Sequence, residues 1–154
     1  MAQTTLQTAW INRPIRTLLA QLVTAFTALN TMLTELYPRV LEVTATTGGG
    51  TTGLITAGYN YVTVTSDSAN KQISLPAATT VGQEIRILVG TTACELISAV
   101  AADKVNEVVV GATNELALTA EALYTCTCTK DGFWVVTGET KLGARIAALV
   151  PDAL

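Results

Sequence analysis

Side chains that could perform chemistry are few in this sequence, and their spacing does not suit the usual reactions. The chain contains no histidine, which removes the commonest general base, the usual catalytic triads and most metal sites. Ser68 and Lys71 have the S-x-x-K spacing of a serine nucleophile with a lysine base. That motif begins a helix in the hydrolases that use it, whereas these residues fall between two strand patterns. We therefore interpret the spacing as a coincidence.

The three cysteines suit neither a disulfide nor a zinc site. Cys126 and Cys128 lie two apart on one strand pattern, which is poor geometry for a disulfide. Cys94 is the only other thiol, so a zinc ion would lack ligands. The odd number predicts reduced, buried thiols in a protein made in a reducing compartment.

The carboxylates that could act as general acids or bases are also few. Glu107, Glu115 and Glu121 fall at positions typical of turns and surfaces, and none forms a convincing acid-base pair. The sequence therefore predicts a protein that is not an enzyme, has no catalytic or metal-binding residues and uses no cofactor.

The longest regular pattern is an amphipathic helix over residues 14–37. Its apolar side chains follow one another at spacings of 4, 3, 4, 3, 4 and 3, an unbroken heptad repeat with Phe26 at an a position. Between Arg16 and Glu35 there is no charged residue, so the helix alone in water would be marginally stable. We call this apolar stripe the seam; it consists of Ile15, Leu19, Leu22, Phe26, Leu29, Leu33 and Leu36.

The seam predicts an oligomer interface between copies of this chain. No complementary charges flank it, so ion pairs would not select a different partner. The leucine-rich a and d layers do not decide between two and three helices, whereas a phenylalanine at an a position, with Leu18 and Val23 widening the stripe, suits three or more. Packing of the helix against its own β domain is the alternative. A membrane span is disfavoured because seven polar side chains interrupt the segment on the face opposite the seam.

Composition favours assembly and excludes some partners. Hydrophobic residues make up 49% of the chain and charged residues only 14%, so few charges must cover a large surface. An oligomer explains this balance, with a very compact monomer as the alternative.

A net charge of -3 and nine scattered basic residues argue against nucleic-acid binding. The stretch 1–10 has no signal-peptide pattern, which predicts synthesis in the cytoplasm.

From Arg39 onward the apolar period changes from helical to alternating. Short strand patterns recur with turns between them, and Asp131-Gly132 marks the clearest hairpin. The pattern predicts a mainly β domain, an antiparallel β-sandwich that is jelly-roll-like. A first short strand has Leu41 and Val43 on one face and Glu42 and Thr44 on the other, a pattern that Val40 does not fit. The further predicted strands cover 54–56, 59–65, 72–75, 84–89, 95–100, 107–110, 116–118, 123–129 and 133–137.

Four segments follow from these patterns. They are an N-terminal arm (1–13), an oligomerising helix (14–37), the β-sandwich domain (38–140) and a C-terminal tail (141–154). Within the tail, residues 144–150 could form a short helix or an extended arm.

The N-terminal arm carries Leu6, Trp10 and Ile11, apolar groups that a solvated arm has little reason to carry, so we expect it to order on a partner. Folding back over the helix bundle is the alternative.

Together, these features resemble virion proteins of tailed bacteriophages, particularly trimeric capsid decoration proteins and head fibres. Besides the uncharged heptad helix and a Gly/Thr linker, the resemblance lies in I-S-L-P-A-A at Ile73–Ala78, V-G-Q-E-I-R-I at Val81–Ile87 and K-D-G-F-W-V-V at Lys130–Val136.

The resemblance implies a non-enzymatic structural protein on the capsid surface of a virion. Its partners would be two further copies of itself and the major capsid protein, with no nucleic acid and no membrane. In such proteins the helical end commonly meets the shell, so capsid attachment is assigned to the arm, through Leu6, Trp10, Ile11 and Arg13. A tail-fibre or receptor-binding module that contacts host surface glycans is the alternative.

Overall fold

The structure, a computed structural model, describes residues 13–36, 39–49, 52–110, 114–147 and 149–153. For residues 13, 14, 33–36 and 153 it describes the backbone alone. The chain divides into two compact units, Met1–Tyr37 and Pro38–Leu154, and each is described by itself.

In the described residues the first unit contains one helix and the second is built mainly from strands, so the prediction of a mainly β protein is confirmed. The helix is α1 (Arg13–Leu36), and a short 3₁₀ turn occupies Thr47–Gly49. The strands are β1 (Val40–Thr44), β2 (Tyr61–Thr65), β3 (Gln72–Leu75), β4 (Glu84–Val89), β5 (Cys94–Ser98), β6 (Lys104–Val105), β7 (Val108–Val109), β8 (Asn114–Leu118), β9 (Ala122–Lys130), β10 (Phe133–Thr140) and β11 (Asp152–Ala153).

Two prolines explain the bounds of α1. Pro14 lies in its first turn, where the missing N-H has no helical partner to lose. Pro38 disfavours helical backbone at the residue before it, and α1 ends at Leu36.

The strands form two mixed sheets rather than antiparallel ones. One sheet has seven strands in the order β1-β2-β4-β9-β10-β6-β7, and the other has four in the order β11-β8-β5-β3. The neighbours β1, β2 and β4 run parallel, as do β3 and β5, and β6 beside β10. The prediction of an antiparallel sandwich is therefore wrong for these pairs, and a jelly roll does not describe the first five strands.

Alternation between the sheets explains the parallel pairs. The chain passes from β1 to Leu54, from β2 to β3 and from β4 to β5, each time leaving one sheet for the other. Val40 pairs with Tyr61 and Tyr61 with Arg86 in the first sheet. Leu54, Ser74 and Ile97 are parallel neighbours in the second. This is the arrangement of a short β-solenoid of three coils, in which each coil stacks on the one before.

In-register apolar ladders between these coils form the core. Val43, Val64 and Val89 are neighbours across three strands, and all are buried. A second ladder joins Val62 to Ile87 and continues to Tyr124 in β9. Both sheets contribute to one buried cluster, so strand pairing and side-chain burial stabilise the same contacts.

Antiparallel strands close the solenoid. The hairpin of β9 and β10 pairs with β4, and its turn has Gly132 at φ 70°, as the Asp131-Gly132 pair predicted. Gly138 of β10 lies opposite Tyr124, and a Cβ added there would be 2.6 Å from the tyrosine ring. Glycine at this position therefore makes room for the largest side chain of the ladder.

Of the two alternatives for residues 144–150, the helix is wrong for the described residues, 144–147, 149 and 150, and the extended arm agrees with them. A turn is closed by the N-H of Gly143, which donates to Thr140 O at 2.8 Å. The chain then returns along β10, where Ile146 N-H donates to Gly138 O at 2.8 Å. These bonds place Arg145 opposite Glu139.

Candidate functional site

The seam of α1 is exposed in the single chain. Its described side chains have exposed fractions of 50–65%, as shown by Ile15 at 50% and Phe26 at 65%. Leu19, Leu22 and Leu29 fall between these values. The side chains of Leu33 and Leu36 lie outside the described residues. A continuous apolar surface is thus available along the described part of the helix.

Residues beside the seam widen this surface. Leu18 and Met32 are 66% and 63% exposed, and they precede the a positions by one residue. Val23, which follows a d position, is 64% exposed. The apolar stripe therefore covers more of the helix circumference than a strict a/d seam.

Threonines on the other faces satisfy part of their hydrogen-bonding capacity within the helix. The hydroxyls of Thr24 and Thr27 each donate to the carbonyl four residues earlier, at 2.9 Å, and Thr31 does so at 3.0 Å. The helix thus remains polar on these faces without charged side chains.

The side chains of the predicted attachment residues lie outside the described residues. Leu6, Trp10 and Ile11 lie outside the described residues, and Arg13 is described by its backbone alone, as the first residue of α1. Their role in attachment stays a prediction.

The prediction of unpaired, buried thiols is confirmed. Cys94, Cys126 and Cys128 are free and fully buried. Burial, with a smaller contribution from Glu95, raises the pKa of Cys94 to about 12, and burial also raises the pKa of Cys126. These thiols are held in their neutral, unreactive form.

The side chains of Ser68 and Lys71 are not hydrogen-bonded to one another in the described structure. Lys71 Nζ donates to the Thr47 hydroxyl at 3.1 Å, while Ser68 Oγ accepts from Asn70 N-H at 3.4 Å. Among the described hydrogen bonds, none joins the Ser68 hydroxyl to the Lys71 ammonium. The segment is a turn between β2 and β3, which agrees with a coincidental spacing.

Three carboxylates converge on the four-stranded sheet. Asp152 pairs with Glu115, and Glu95 on the next strand pairs with Ala117, two residues from Glu115. Gln72 is the parallel neighbour of Glu95 and donates its side-chain amide to Glu115. One oxygen of Glu95, Oε2, is buried without a hydrogen-bond partner.

This environment favours the protonated form of Glu95. Burial, together with the charges of Glu115 and Asp152, raises the pKa of Glu95 from 4.5 to about 7. Glu115 was predicted to be a turn or surface charge; instead it is half-buried in β8. The sequence did not reveal the cluster because its members come from three strands whose pairing is not local. No group of described acidic, cysteine or histidine residues is arranged to hold a metal ion.

We expect the free energy of unfolding to fall as the pH rises from 4.5 to about 7. The raised pKa means that the folded state keeps a proton that the unfolded chain loses. The contribution of Glu95 is therefore complete below pH 4.5 and lost as the pH rises to about 7. Urea denaturation at a series of pH values should show this decline in the free energy of unfolding, and Glu95→Gln should reduce it. Glu42→Gln, at an exposed position of β1, is the control and should retain it; an unchanged slope in Glu95→Gln would contradict the assignment.

An open cleft of about 430 Å³ lies on the outer face of the seven-stranded sheet. Sequence reasoning did not find it, because its residues are brought together by strand pairing and by the turn after β10. Its lining includes Arg86, Leu123, Thr125, Thr137, Glu139 and Arg145.

The chain matches no protein-family model, no curated protein and no solved structure. No helix in the described part of the chain has both the length and the apolar character needed to cross a membrane.

Proposed function

We propose that this chain is a non-enzymatic structural protein that forms a homotrimer through α1 and decorates or stabilises the capsid of a phage particle. The observation that carries the proposal is the apolar seam, whose described side chains are at least half exposed in the single chain. A surface of this kind marks a site of association.

The energetics of the seam favour association. Complete burial of a leucine or phenylalanine side chain contributes about 1.5–3 kcal/mol, so covering the exposed half of each gives about 1 kcal/mol per side chain. Repeated along the helix in every copy, this gain offsets the entropy lost when chains associate.

The width of the stripe favours three helices over two. Leu18 and Met32 occupy g positions, and Val23 occupies an e position, when Phe26 is placed at a. Apolar residues at a, d and g let one helix contact two neighbours at once. The absence of opposed charges at these flanks is expected of identical partners.

The assignment to a phage particle depends on the resemblance of the helix, linker and β segments to virion proteins. In this proposal the major capsid protein is the partner of the arm, with Trp10 as an apolar anchor. The protein is made in the host cytoplasm and resides on the capsid surface.

A second candidate is a tail-fibre or receptor-binding module that contacts host surface glycans. The cleft around Arg86 and Arg145 is the observation that favours it. The copy number of the chain in purified virions separates the candidates, since hundreds of copies indicate capsid decoration and a handful indicate the tail.

A charge in the middle of the seam should separate the chains. Phe26→Asp would bury three carboxylates in one layer of the trimer, so light scattering should report the mass of a single chain. Thr24→Asp introduces the same charge two residues away at an outer position and should leave the trimer intact. An unchanged mass for Phe26→Asp would mean that the seam packs within one chain.

Deleting Met1–Ile11 should abolish particle binding without affecting the trimer. The truncated chain keeps the whole seam, so we expect light scattering to report the wild-type mass. Cosedimentation with particles stripped of the protein should show that it no longer binds, while the full chain rebinds. Undiminished binding would move attachment to the β domain or to the tail, residues 141–154.

A further inference from the structure

We infer that the cleft on the outer face of the seven-stranded sheet binds an acidic saccharide, a sugar that carries a carboxylate beside its hydroxyl groups. The inference gives the second candidate function a site and a ligand class. It requires neither the trimer nor attachment to a particle, so it can fail or succeed independently of them.

Strand register builds the cleft from two neighbouring rows of outward-facing side chains. In the first row, Tyr61, Arg86, Thr125 and Thr137 are successive neighbours across β2, β4, β9 and β10. The second row runs across the same strands as Thr63, Leu88, Leu123 and Glu139, and ends at Arg145 in the turn beyond. Thr125 and Thr137 therefore lie between Arg86 in the first row and the pair of Glu139 and Arg145 at the end of the second row. The short threonine side chains make the surface concave between these longer ones.

The two arginines lie on opposite sides of the cleft. Three strand spacings across the sheet and two residues along it separate the backbone of Arg86 from that of Arg145, about 16 Å. Both side chains are long enough to reach toward a ligand above Thr125 and Thr137. The volume of about 430 Å³ is within the range of roughly 300–1,000 Å³ found for small-molecule sites.

Arg86 is held in place by two neighbours. Its Nε donates to Glu84 Oε1 at 2.9 Å, and its guanidinium carbon lies 5.7 Å from the centroid of the Tyr61 ring. Because the guanidinium has several further N-H donors, the bond with Glu84 orients the group without using all of them. A ligand carboxylate is the acceptor that best matches the planar fork that remains.

The rest of the lining suits a sugar better than a simple anion or a polyanion. The hydroxyls of Thr125 and Thr137 and the carboxylate of Glu139 can accept hydrogen bonds from sugar hydroxyls. Leu123, which is 37% exposed, offers an apolar surface to the ring carbons. Glu139 and the net charge of -3 repel a polyanion. A ligand with one carboxylate and several neutral hydroxyls can pair its carboxylate with the arginines and donate hydrogen bonds from its hydroxyls to Glu139.

Ligand-observed NMR with the full chain tests this assignment. The probes are glucuronic acid and N-acetylneuraminic acid, with glucose and acetate as controls. We expect saturable binding of at least one acidic sugar, and at least tenfold weaker binding of glucose and acetate. Comparable binding of glucose would remove the role of the carboxylate, and comparable binding of acetate would remove the role of the sugar; either result would overturn the inference.

Matched variants place the binding in the cleft. Arg86→Gln should weaken binding at least tenfold, whereas Lys141→Gln removes the same charge from an exposed pair with Glu121 outside the lining and should not. Thr125→Val should weaken binding, while Thr127→Val, two residues along β9, should not. Equal losses in Arg86→Gln and Lys141→Gln would show nonspecific attraction and contradict the site.

Discussion

The apolar stripe of α1 is exposed in the single chain, and the proposed assembly depends on it. The first unit consists, in its described residues, of one helix, and its largest side chains contact solvent over half of their surface or more. A helix of this composition is marginally stable alone in water. Helical propensity does not remove the cost of the exposed stripe, whereas in the proposed trimer a second and third copy of the same stripe would cover it. The proposed assembly and its choice of identical partners follow from that requirement, while the proposed role on a particle depends on the resemblance to virion proteins.

The β unit differs from the helix, because most of its apolar side chains are buried in one cluster. Valine and isoleucine ladders run through three stacked coils, and the hairpin of β9 and β10 covers the last coil with Tyr124 and Trp134. Its outer face is free to carry polar groups in register. The same stacking that aligns the core ladders also aligns Arg86 with Thr125 and Thr137, so the cleft is a by-product of the core's regularity.

Local patterns in the sequence were sufficient to locate most of the elements. The alternation of Ile85 and Ile87 with Arg86 predicted β4 over the range observed, because inward and outward positions differ in polarity within one strand. Asp131-Gly132 predicted its hairpin because the turn requires a positive φ. Proline positions likewise indicated the ends of α1.

These patterns did not predict the direction of the strands or which strands pair. A parallel neighbour about 20 residues away has the same alternation as an antiparallel one, so alternation alone did not indicate the solenoid. For the same reason the cluster of Glu95, Glu115 and Asp152 could not be anticipated. It depends on contacts between distant segments, which no spacing in the sequence encodes.

Sedimentation equilibrium of the unmodified full chain tests whether the stripe of α1 assembles three chains. We predict a single species with three times the 16.1 kDa mass of the chain across the micromolar range. Dissociation at lower concentrations should lead to the single chain, because the stripe is the only surface on which the trimer is proposed to depend. A mass of one chain at every concentration would contradict the claim, since it would show that the exposed stripe of α1 does not bind copies of itself.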